Sequence, residues 1–240
     1  MSSTSEVGHN KNVANFSTAY QILQEMGPLY NPSNPNILLP NLAPRKVDLA
    51  ATIKVMVEQS PIYKNAVADR EVEIAPMSKL TTRSLNFSNS TAISEKDKEN
   101  LQSQAKKIRG DKSVKKINPE TSESDAISTS QMSYDSRIAN FNTFISQQAS
   151  HPEYIPNEND LKITTLKAYH ERLLVLNELV NQSGFALITA RNNRNNILYN
   201  SDLNIMQLVK DIKFYLKSLG AAGLPYYKAL VKLRFRDIER

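Results

Sequence analysis

The chain has 240 residues, of which 40% are apolar and 7% aromatic, with no Trp and only 6 Gly. Scarce glycine argues against a β-sandwich or barrel with many tight turns. The absence of Cys excludes disulfides, thiolate nucleophiles, zinc–thiolate sites and iron–sulfur clusters. The net charge of +6 is compatible with binding to nucleic acid or anionic lipid, but solvated helix faces rich in Lys explain it more simply.

The first residues, 1–11, are polar and lack the apolar core of a secretory signal, so they are predicted to form a disordered N-terminus. No stretch approaches the ~18 consecutive apolar residues of a membrane-spanning helix. The sequence therefore predicts a cytoplasmic protein without a membrane span.

A short pattern occurs twice along the chain. Val13–Thr18 and Ile138–Thr143 share four of six residues, and a Tyr-x-Pro turn follows each of them, at Tyr30 and at Tyr154. Two matches in the same order and at nearly constant offset indicate an internal duplication. Each copy is predicted to contain a short helix with a buried Phe, the turn, a long helical stretch and a further helix.

Both long stretches carry apolar residues at alternating steps of three and four, the spacing of a helix seam. The seam positions are Leu49, Ile53, Met56, Tyr63, Val67, Ile74 and Met77 in the first copy, and Leu166, Tyr169, Leu173, Leu176, Val180, Leu187, Ala190 and Ile197 in the second. Ser60, Arg70, Ser183 and Arg194 are the polar exceptions. Pro61 is predicted to kink the first long helix or to divide it in two.

A further helix is predicted after each long one, over Ser90–Ile108 and Ser201–Leu219, each opening on a serine cap. Gly110 and Gly220 follow as helix stops. The first of these helices is highly charged, so few of its residues are expected to face inward. Between the copies, residues 111–131 are polar and are predicted to be a linker.

The predicted fold is all-α: an antiparallel helical bundle with long helices, formed by internal duplication of a three-helix unit. The first copy covers residues 12–110 and the second covers residues 132–240. Two separate small bundles are the alternative. One continuous bundle is favoured, because three helices of uneven amphipathicity bury little apolar surface alone.

Three segments, Tyr134–Phe141, Tyr154–Lys162 and Ala190–Tyr199, resemble an uncharacterised family of helical proteins found widely in Bacteroidota. The likeness extends through Ser78–Arg83 and Tyr227–Lys228 and covers most of the chain past residue 13. The resemblance implies a bacterial, cytoplasmic protein. It implies no activity and no functional residue, since no function is known for the family.

The sequence contains no motif of a common catalytic, metal or nucleotide site. His9, His151 and His170 occur singly, without the H-E-x-x-H spacing of zinc sites or the E-x-x-H pairs of di-iron bundles. Glycine-rich phosphate loops and a G-x-S-x-G nucleophile are also absent. We therefore predict no catalytic residue, no metal ligand and no cofactor, and we do not expect an enzyme.

Two basic clusters are the candidate binding residues, either for an anion or for nucleic acid. The first places six cations in eleven residues: Lys106, Lys107, Arg109, Lys112, Lys115 and Lys116. Such a run can neutralise phosphates, but it lacks aromatics for base stacking, and a solvated linker is the favoured interpretation.

The second cluster is Arg191 with Arg194, which have no adjacent acid in the sequence. These arginines are predicted to form a cross-helix ion pair, the favoured interpretation, or to bind an anion. Arg70, on the first seam, is predicted to pair with an acid on its own helix, where Asp69, Glu71 and Glu73 are available.

The chain is predicted to be a non-catalytic helical-bundle protein that acts as an interaction or structural module, with another protein or a second copy as partner. One alternative is a nucleic-acid-associated protein that uses residues 106–116, and a weaker one is a membrane-active bundle. Val231–Arg236 alternates apolar and basic residues, a strand-like period. A frayed tail and the last turns of a helix are equally open there, and a strand that pairs with a partner is less favoured.

Overall fold

The computed structural model describes residues 4–111 and 133–238, and within them the chain forms α-helices, short 3₁₀ turns and loops, with no strand. The prediction of an all-α fold is confirmed. The helices are α1 (Thr4–Glu25), α2 (Leu39–Ile74), α3 (Met77–Asn89), α4 (Glu95–Arg109), α5 (Tyr134–Ala149), α6 (Ile163–Asn195), α7 (Ile205–Ser218) and α8 (Leu224–Lys232). A π-helical turn, Asn196–Asn200, follows α6. Beyond Asp111, the predicted linker 111–131 lies outside the described residues.

The chain folds into two compact units. Unit 1 comprises Met1–Ile62 and Gly184–Arg240, and unit 2 comprises Tyr63–Ser183. The boundaries between them fall inside α2 and α6, so each of these long helices gives its N-terminal part to one unit and its C-terminal part to the other. Each unit therefore contains residues of both predicted copies. The copies themselves remain a prediction from the sequence.

In unit 1, α8 packs against α1 and α7, and α7 packs against the 3₁₀ turn Pro35–Ile37. The core is formed by aliphatic and aromatic side chains from all of these elements. Its buried residues include Phe16, Leu23, Ile37, Leu42, Leu49, Leu198, Ile205, Val209, Ile212, Leu216 and Leu230. The apolar face of α7 is thus buried, which is the expected position for that side of an amphipathic helix.

In unit 2, α4 packs against both α3 and α5, and α3 contacts the 3₁₀ turn Asn159–Leu161. The core includes Met77, Leu85, Leu101, Ala105, Ile108, Ile138, Phe141, Phe144, Ile145, Leu166 and Leu173. On the charged helix α4, only Leu101, Ala105 and Ile108 are buried. The sequence prediction that few residues of this helix face inward is therefore confirmed.

Two helices begin later than the sequence predicted, each after a residue whose side chain accepts a backbone N–H of the first turn. α4 begins after Ser94 rather than at Ser90, and the Ser94 Oγ accepts the backbone N–H three residues on at 3.2 Å. α7 begins after Asn204 rather than at Ser201, and the Asn204 Oδ1 accepts the corresponding N–H at 2.9 Å. Each cap satisfies one of the amide donors left without a partner at a helix start. Gly110 ends α4 in the left-handed conformation, with φ 74°, as predicted.

The long helices bury much of their predicted seams. Buried seam residues are Leu49, Met56, Ile74, Met77, Leu166, Tyr169, Leu173, Val180, Leu187 and Ala190. α2 runs without interruption through Pro44 and Pro61, so the helix is not divided. A proline removes one backbone donor, but the turns on either side keep their own hydrogen bonds.

α1 begins at Thr4, whereas the sequence predicted a disordered N-terminus through residue 11. Two polar side chains of this region, His9 and Asn12, are buried in unit 1. The hydroxyl of Tyr199 lies 2.8 Å from His9 Nδ1 and accepts the Asn12 side-chain amide at 2.9 Å. Composition indicates disorder where apolar residues are few, but it does not register polar side chains that a distant residue satisfies.

Candidate functional site

Large apolar side chains remain exposed on the two long helices. In unit 1, Phe185 and Ile188 of α6 are 73% and 53% exposed, and Val57 and Ile62 of α2 are exposed as well. In unit 2, Val175 of α6 is exposed. Phe185 and Ile188 are three residues apart and therefore share one face of the helix. Phe185 and Ile188 therefore form an exposed apolar patch on α6, which is a candidate contact surface.

Among the described residues, one helical stretch, Ile163–Ser218, is long and apolar enough by composition to cross a membrane, with a window of mean hydropathy 1.2. Only 33% of that window is buried within the structure. Counting consecutive apolar residues predicted no such stretch, because polar residues interrupt the run. Averaged hydropathy finds it because Leu, Val and Ile dominate around those interruptions.

The first basic cluster lies partly at the end of α4, where Lys106, Lys107 and Arg109 form the last turn. Lys106 and Lys107 are exposed, and Arg109 forms an ion pair with Asp111, Nη2 to Oδ2 2.6 Å. Cations at a helix C-terminus interact favourably with the helix dipole, so their position has a structural reason independent of any ligand. The rest of the cluster lies outside the described residues: Lys112, Lys115 and Lys116.

Arg191 and Arg194 do not form one exposed cluster. Arg191 is exposed, whereas Arg194 is only 3% exposed. The Nε and Nη2 of Arg194 donate to Asn195 Oδ1 at 2.9 and 2.7 Å. The Arg194 guanidinium is thus held inside unit 1, and contact of these two residues with an anion stays a prediction.

Arg70 of unit 2 is bound by partners from two other helices rather than by an acid on its own helix. Its guanidinium lies 3.7 Å from the ring centroid of Tyr134, and its Nη1 donates to Asn177 Oδ1 at 3.0 Å. The Asn177 amide in turn donates to Asp135 Oδ1 at 2.6 Å. The arginine is therefore stabilised by stacking and, through an amide, by a carboxylate.

The histidines lie in separate environments. His170 is buried with its Nδ1 3.6 Å from Glu171 Oε1, and His151 lies in the turn after α5. His9 contacts Tyr199 in unit 1. Across residues 4–111 and 133–238, no group of three or more His, Asp or Glu side chains is placed to hold a metal ion.

A cleft of about 360 Å³ opens on unit 2. Its lining residues are Glu73, Pro76, Lys79, Leu80, Arg83, Asp160, Thr165, Tyr169 and Arg172. Arg83 pairs with Asp160, and Arg172 Nε lies 3.0 Å from Glu73 Oε1. Tyr169 donates its hydroxyl to the Glu73 carbonyl at 2.6 Å, and burial, with the Glu73 charge, raises the pKa of Tyr169 to about 12. Both guanidinium groups are paired with carboxylates, and Lys79 gives the lining one net positive charge.

A buried polar network, which the sequence did not predict, joins α3, α5 and the second Tyr-x-Pro turn in unit 2. Gln148 donates to Ser88 Oγ at 2.9 Å and to the Ser84 carbonyl at 3.2 Å, and it accepts the Ser84 hydroxyl at 2.9 Å. The Tyr154 hydroxyl lies 2.6 Å from Ser84 Oγ and donates to the Leu161 carbonyl at 2.9 Å. Burial raises the pKa of Tyr154, and the Ser84 hydrogen bond partly offsets that rise. The carbonyl oxygen and the NH₂ group of the Gln148 amide therefore both take part in hydrogen bonds, the NH₂ group in two of them.

In unit 1, the C-terminal segment 233–238 follows α8 without forming a helix or a strand, and it lies along α1. The Asn12 side chain accepts the backbone N–H of Arg236 at 3.1 Å and donates to the carbonyl of the same residue at 2.7 Å. Asn15 donates to the Arg234 carbonyl at 2.9 Å. Within the alternating segment Val231–Arg236, Val231 and Lys232 form the end of α8, and the residues after Lys232 leave the helix and dock within unit 1.

Comparison with family models, curated proteins and solved structures gives no match for this chain. The resemblance to the Bacteroidota family remains a prediction from the sequence. The candidate surfaces therefore rest on the geometry of the chain alone.

Proposed function

We propose that the protein is a non-catalytic interaction module that associates with itself or with another protein through the exposed apolar face of α6 in unit 1. The observation that supports this proposal is the exposure of Phe185 and Ile188 on one helical face. Burial of apolar surface contributes about 25 cal/mol per Å², so a contact that covers both side chains is favourable before any polar contact is counted. Val57 and Ile62 provide further exposed apolar surface in the same unit.

Sedimentation velocity over a range of protein concentrations tests self-association. The double change Phe185→Ser with Ile188→Ser is expected to reduce the associated fraction, because it replaces the apolar contact with groups that stay hydrated. Phe214→Ser is the matched control: Phe214 is 59% exposed on α7, but its helical neighbours Lys210, Asp211 and Lys217 are charged.

Equal losses from the double change and from the control would contradict a specific face. A wild-type chain that stays monomeric in solution but floats with liposomes, in a manner sensitive to the Phe185 change, would favour the membrane-active alternative. If the chain stays monomeric and does not bind liposomes, a pull-down with the wild type and the double variant in parallel decides the case of another protein. Retention of the same proteins by both would contradict the proposal.

We further propose that the chain contains two copies of one helical repeat. Each copy contributes one half to unit 1 and the other half to unit 2. Two tyrosine hydrogen bonds of equal span support this: Tyr30 donates to the Ile37 carbonyl at 2.6 Å, and Tyr154 donates to the Leu161 carbonyl at 2.9 Å, each seven residues on. In each unit this 3₁₀ turn contacts one further helix, α7 in unit 1 and α3 in unit 2. The pairs α1 with α8 and α5 with α4 also correspond.

The inward positions of α3 and α7 follow the same steps of four, three and four residues. They are Met77, Thr81, Ser84 and Ser88 in α3, and Ile205, Val209, Ile212 and Leu216 in α7. An aromatic ring packs edge-on against the turn tyrosine in both units, at 5.4 Å for Tyr215 on Tyr30 and 5.2 Å for Phe87 on Tyr154. These matches pair Thr81 with Val209, Ser84 with Ile212 and Ser88 with Leu216. The match of Val13–Thr18 with Ile138–Thr143 pairs Leu23 with Gln148.

The duplication is tested by replacing polar residues of unit 2 with the apolar residues that correspond to them in unit 1. The variant with Thr81→Val, Ser84→Ile, Ser88→Leu and Gln148→Leu is expected to fold in one cooperative transition and to be more stable than Gln148→Leu alone. The physical reason is that the hydroxyls of Ser84 and Ser88 are removed together with the Gln148 amide, while the Tyr154 hydroxyl keeps the Leu161 carbonyl as its acceptor, so no buried donor is left without one. Chemical denaturation measures both variants. A fourfold variant less stable than the single one would contradict this pairing.

The nucleic-acid alternative stays a prediction for residues 106–116. Filter binding at two salt concentrations tests it, because phosphate contacts weaken steeply as salt rises. Retention at low salt no better than that of a neutral control protein would contradict it.

A further inference from the structure

The cleft on unit 2 lies between one face of α3 and one face of α6. α3 contributes Lys79, Leu80 and Arg83 to the lining, and α6 contributes Thr165, Tyr169 and Arg172. Steps of three and four residues place each set on one side of its helix. We propose that this cleft binds a small organic monoanion, a single carboxylate on an apolar body. The inference concerns unit 2 and a small molecule, so it is independent of the association proposed for unit 1.

The apolar part of the lining is preformed. Tyr169 is only 5% exposed, its ring packs edge-on against Phe141 with 5.6 Å between the centroids, and its hydroxyl is held by the Glu73 carbonyl. Leu80 is partly buried against the core of unit 2. The cleft volume of about 360 Å³ falls within the roughly 300–1,000 Å³ of small-molecule pockets. A small apolar body can therefore be covered here by side chains that are already in position.

Two ion pairs lie along the cleft, one where α2 ends and the other on the second turn of α3. Arg172 Nε lies 3.0 Å from Glu73 Oε1, and the same guanidinium lies 5.5 Å from the ring centroid of Tyr169. Arg83 pairs with Asp160 of the 3₁₀ turn before α6. Each pair brings a carboxylate to the lining, so a ligand with several negative charges, such as a polyphosphate, is disfavoured by like-charge repulsion.

Lys79 is the cation that these pairs leave over. It is exposed and forms no ion pair with any residue that the structure describes. The lining therefore carries one net positive charge, and charge complementarity favours one negative charge on the ligand. Leu80, next to Lys79, and the ring of Tyr169 are placed to contact the apolar part. The Thr165 hydroxyl adds a neutral hydrogen-bonding group.

Saturation-transfer difference NMR on the full chain tests the site with indole-3-acetate, an aromatic compound that carries one carboxylate. We expect saturable binding with a Kd on the order of 1 mM, the affinity of a typical ligand with about 13 non-hydrogen atoms. Indole-3-acetamide, a neutral compound of the same size, is expected to bind about fivefold more weakly, because it cannot form an ion pair with Lys79.

Variants at exposed positions locate the site. Lys79→Met is expected to weaken indole-3-acetate binding about fivefold and to remove the difference between the two compounds. Lys167→Met is the matched control, because Lys167 is exposed on α6 outside the cleft lining. Thr165→Trp is expected to abolish binding by filling the cleft. Thr164→Trp, at an exposed position outside the lining, is expected to bind as the wild type does. Far-ultraviolet circular dichroism verifies that each variant is helical.

A wild-type chain without saturable binding, or with equal affinity for the acid and the amide, would overturn the proposal. Equal affinities of the Thr164 and Thr165 variants would overturn it as well, because the ligand would then lie outside the cleft. The double change Phe185→Ser with Ile188→Ser separates this site from the apolar face of unit 1. Undiminished binding by that variant is expected, and loss of binding would show that the probe is held at that face instead.

Discussion

The two compact units bury helices whose inward faces differ in chemistry. In unit 1, α7 buries five aliphatic side chains, and α1 places Leu23 in the same core. In unit 2, α3 buries Thr81, Ser84 and Ser88, and α5 contributes Gln148 to the same region. The difference teaches that a helix of modest hydrophobicity can be buried when its polar groups satisfy one another.

The two units should therefore respond in opposite ways to a change of polarity. The aliphatic core of unit 1 is expected to be intolerant of an amide, and the network of unit 2 is expected to be intolerant of losing one. The predictions below follow this comparison, from the largest expected effect to the smallest.

The largest effect is expected for Leu23→Gln in unit 1. Leu23 is fully buried in the apolar core of unit 1. The change loses apolar burial and buries an amide without partners, so we expect a loss of about 3–5 kcal/mol in the free energy of unfolding. Urea denaturation measures it, with Leu23→Met as a control of similar volume. A loss no larger than that of the control would show that unit 1 can accommodate polarity as unit 2 does.

Gln148→Leu in unit 2 is expected to cost less, about 2–3 kcal/mol, because it leaves the hydroxyls of Ser84 and Ser88 with fewer partners while adding apolar volume. Adding Ser84→Ala and Ser88→Ala to this variant should recover part of the loss, which a double-mutant analysis of denaturation curves detects. Strict additivity of the three changes would mean that the side chains do not act as one network.

The turn tyrosines provide a finer comparison. Tyr30→Phe removes one hydrogen bond to a carbonyl, whereas Tyr154→Phe also removes the contact with Ser84. We expect a loss of about 1 kcal/mol for Tyr30→Phe and a somewhat larger one for Tyr154→Phe. Thermal unfolding followed by circular dichroism measures both. The reverse order would contradict the assignment of Tyr154 to the network.

Alkaline pH tests the same two tyrosines through the pKa of their hydroxyl groups. Burial raises the pKa of Tyr30 and of Tyr154, with the Ser84 hydrogen bond lowering the latter in part. A raised pKa in the folded state means that the folded chain retains the proton which the unfolded chain releases near pH ~10. The stability contribution is therefore complete below about pH 10 and is lost as the pH rises further. Ultraviolet titration of each Phe variant beside the wild type should show that the tyrosine which the variant lacks ionises above pH ~10.

The sequence predicted well those features that depend on local periodicity. The inward residues of α4 and much of both long seams follow from the spacing of apolar residues, because a helix places residues three and four apart on one side. The stop at Gly110 follows from the ease with which glycine adopts positive φ. The all-α class follows from the same signals.

Contacts between distant residues were not predictable in this way. The partners of Arg70 come from α5 and α6 and not from the acids next to it in sequence. The order of residues 4–11 depends on Tyr199, nearly the whole chain away. Gln148 gave no signal at all, since an amide on a helix is normally read as solvated.

The sequence by itself determined that this protein is helical and which faces of α4 and of the two long helices are apolar, because both are properties of neighbouring residues. The tertiary structure alone decided which helices share a core, and it assembled each unit from segments on both sides of the predicted linker. It also decided that the segment after α8 lies along α1. Such choices depend on hydrogen bonds and packing between residues far apart in sequence, which no local pattern encodes.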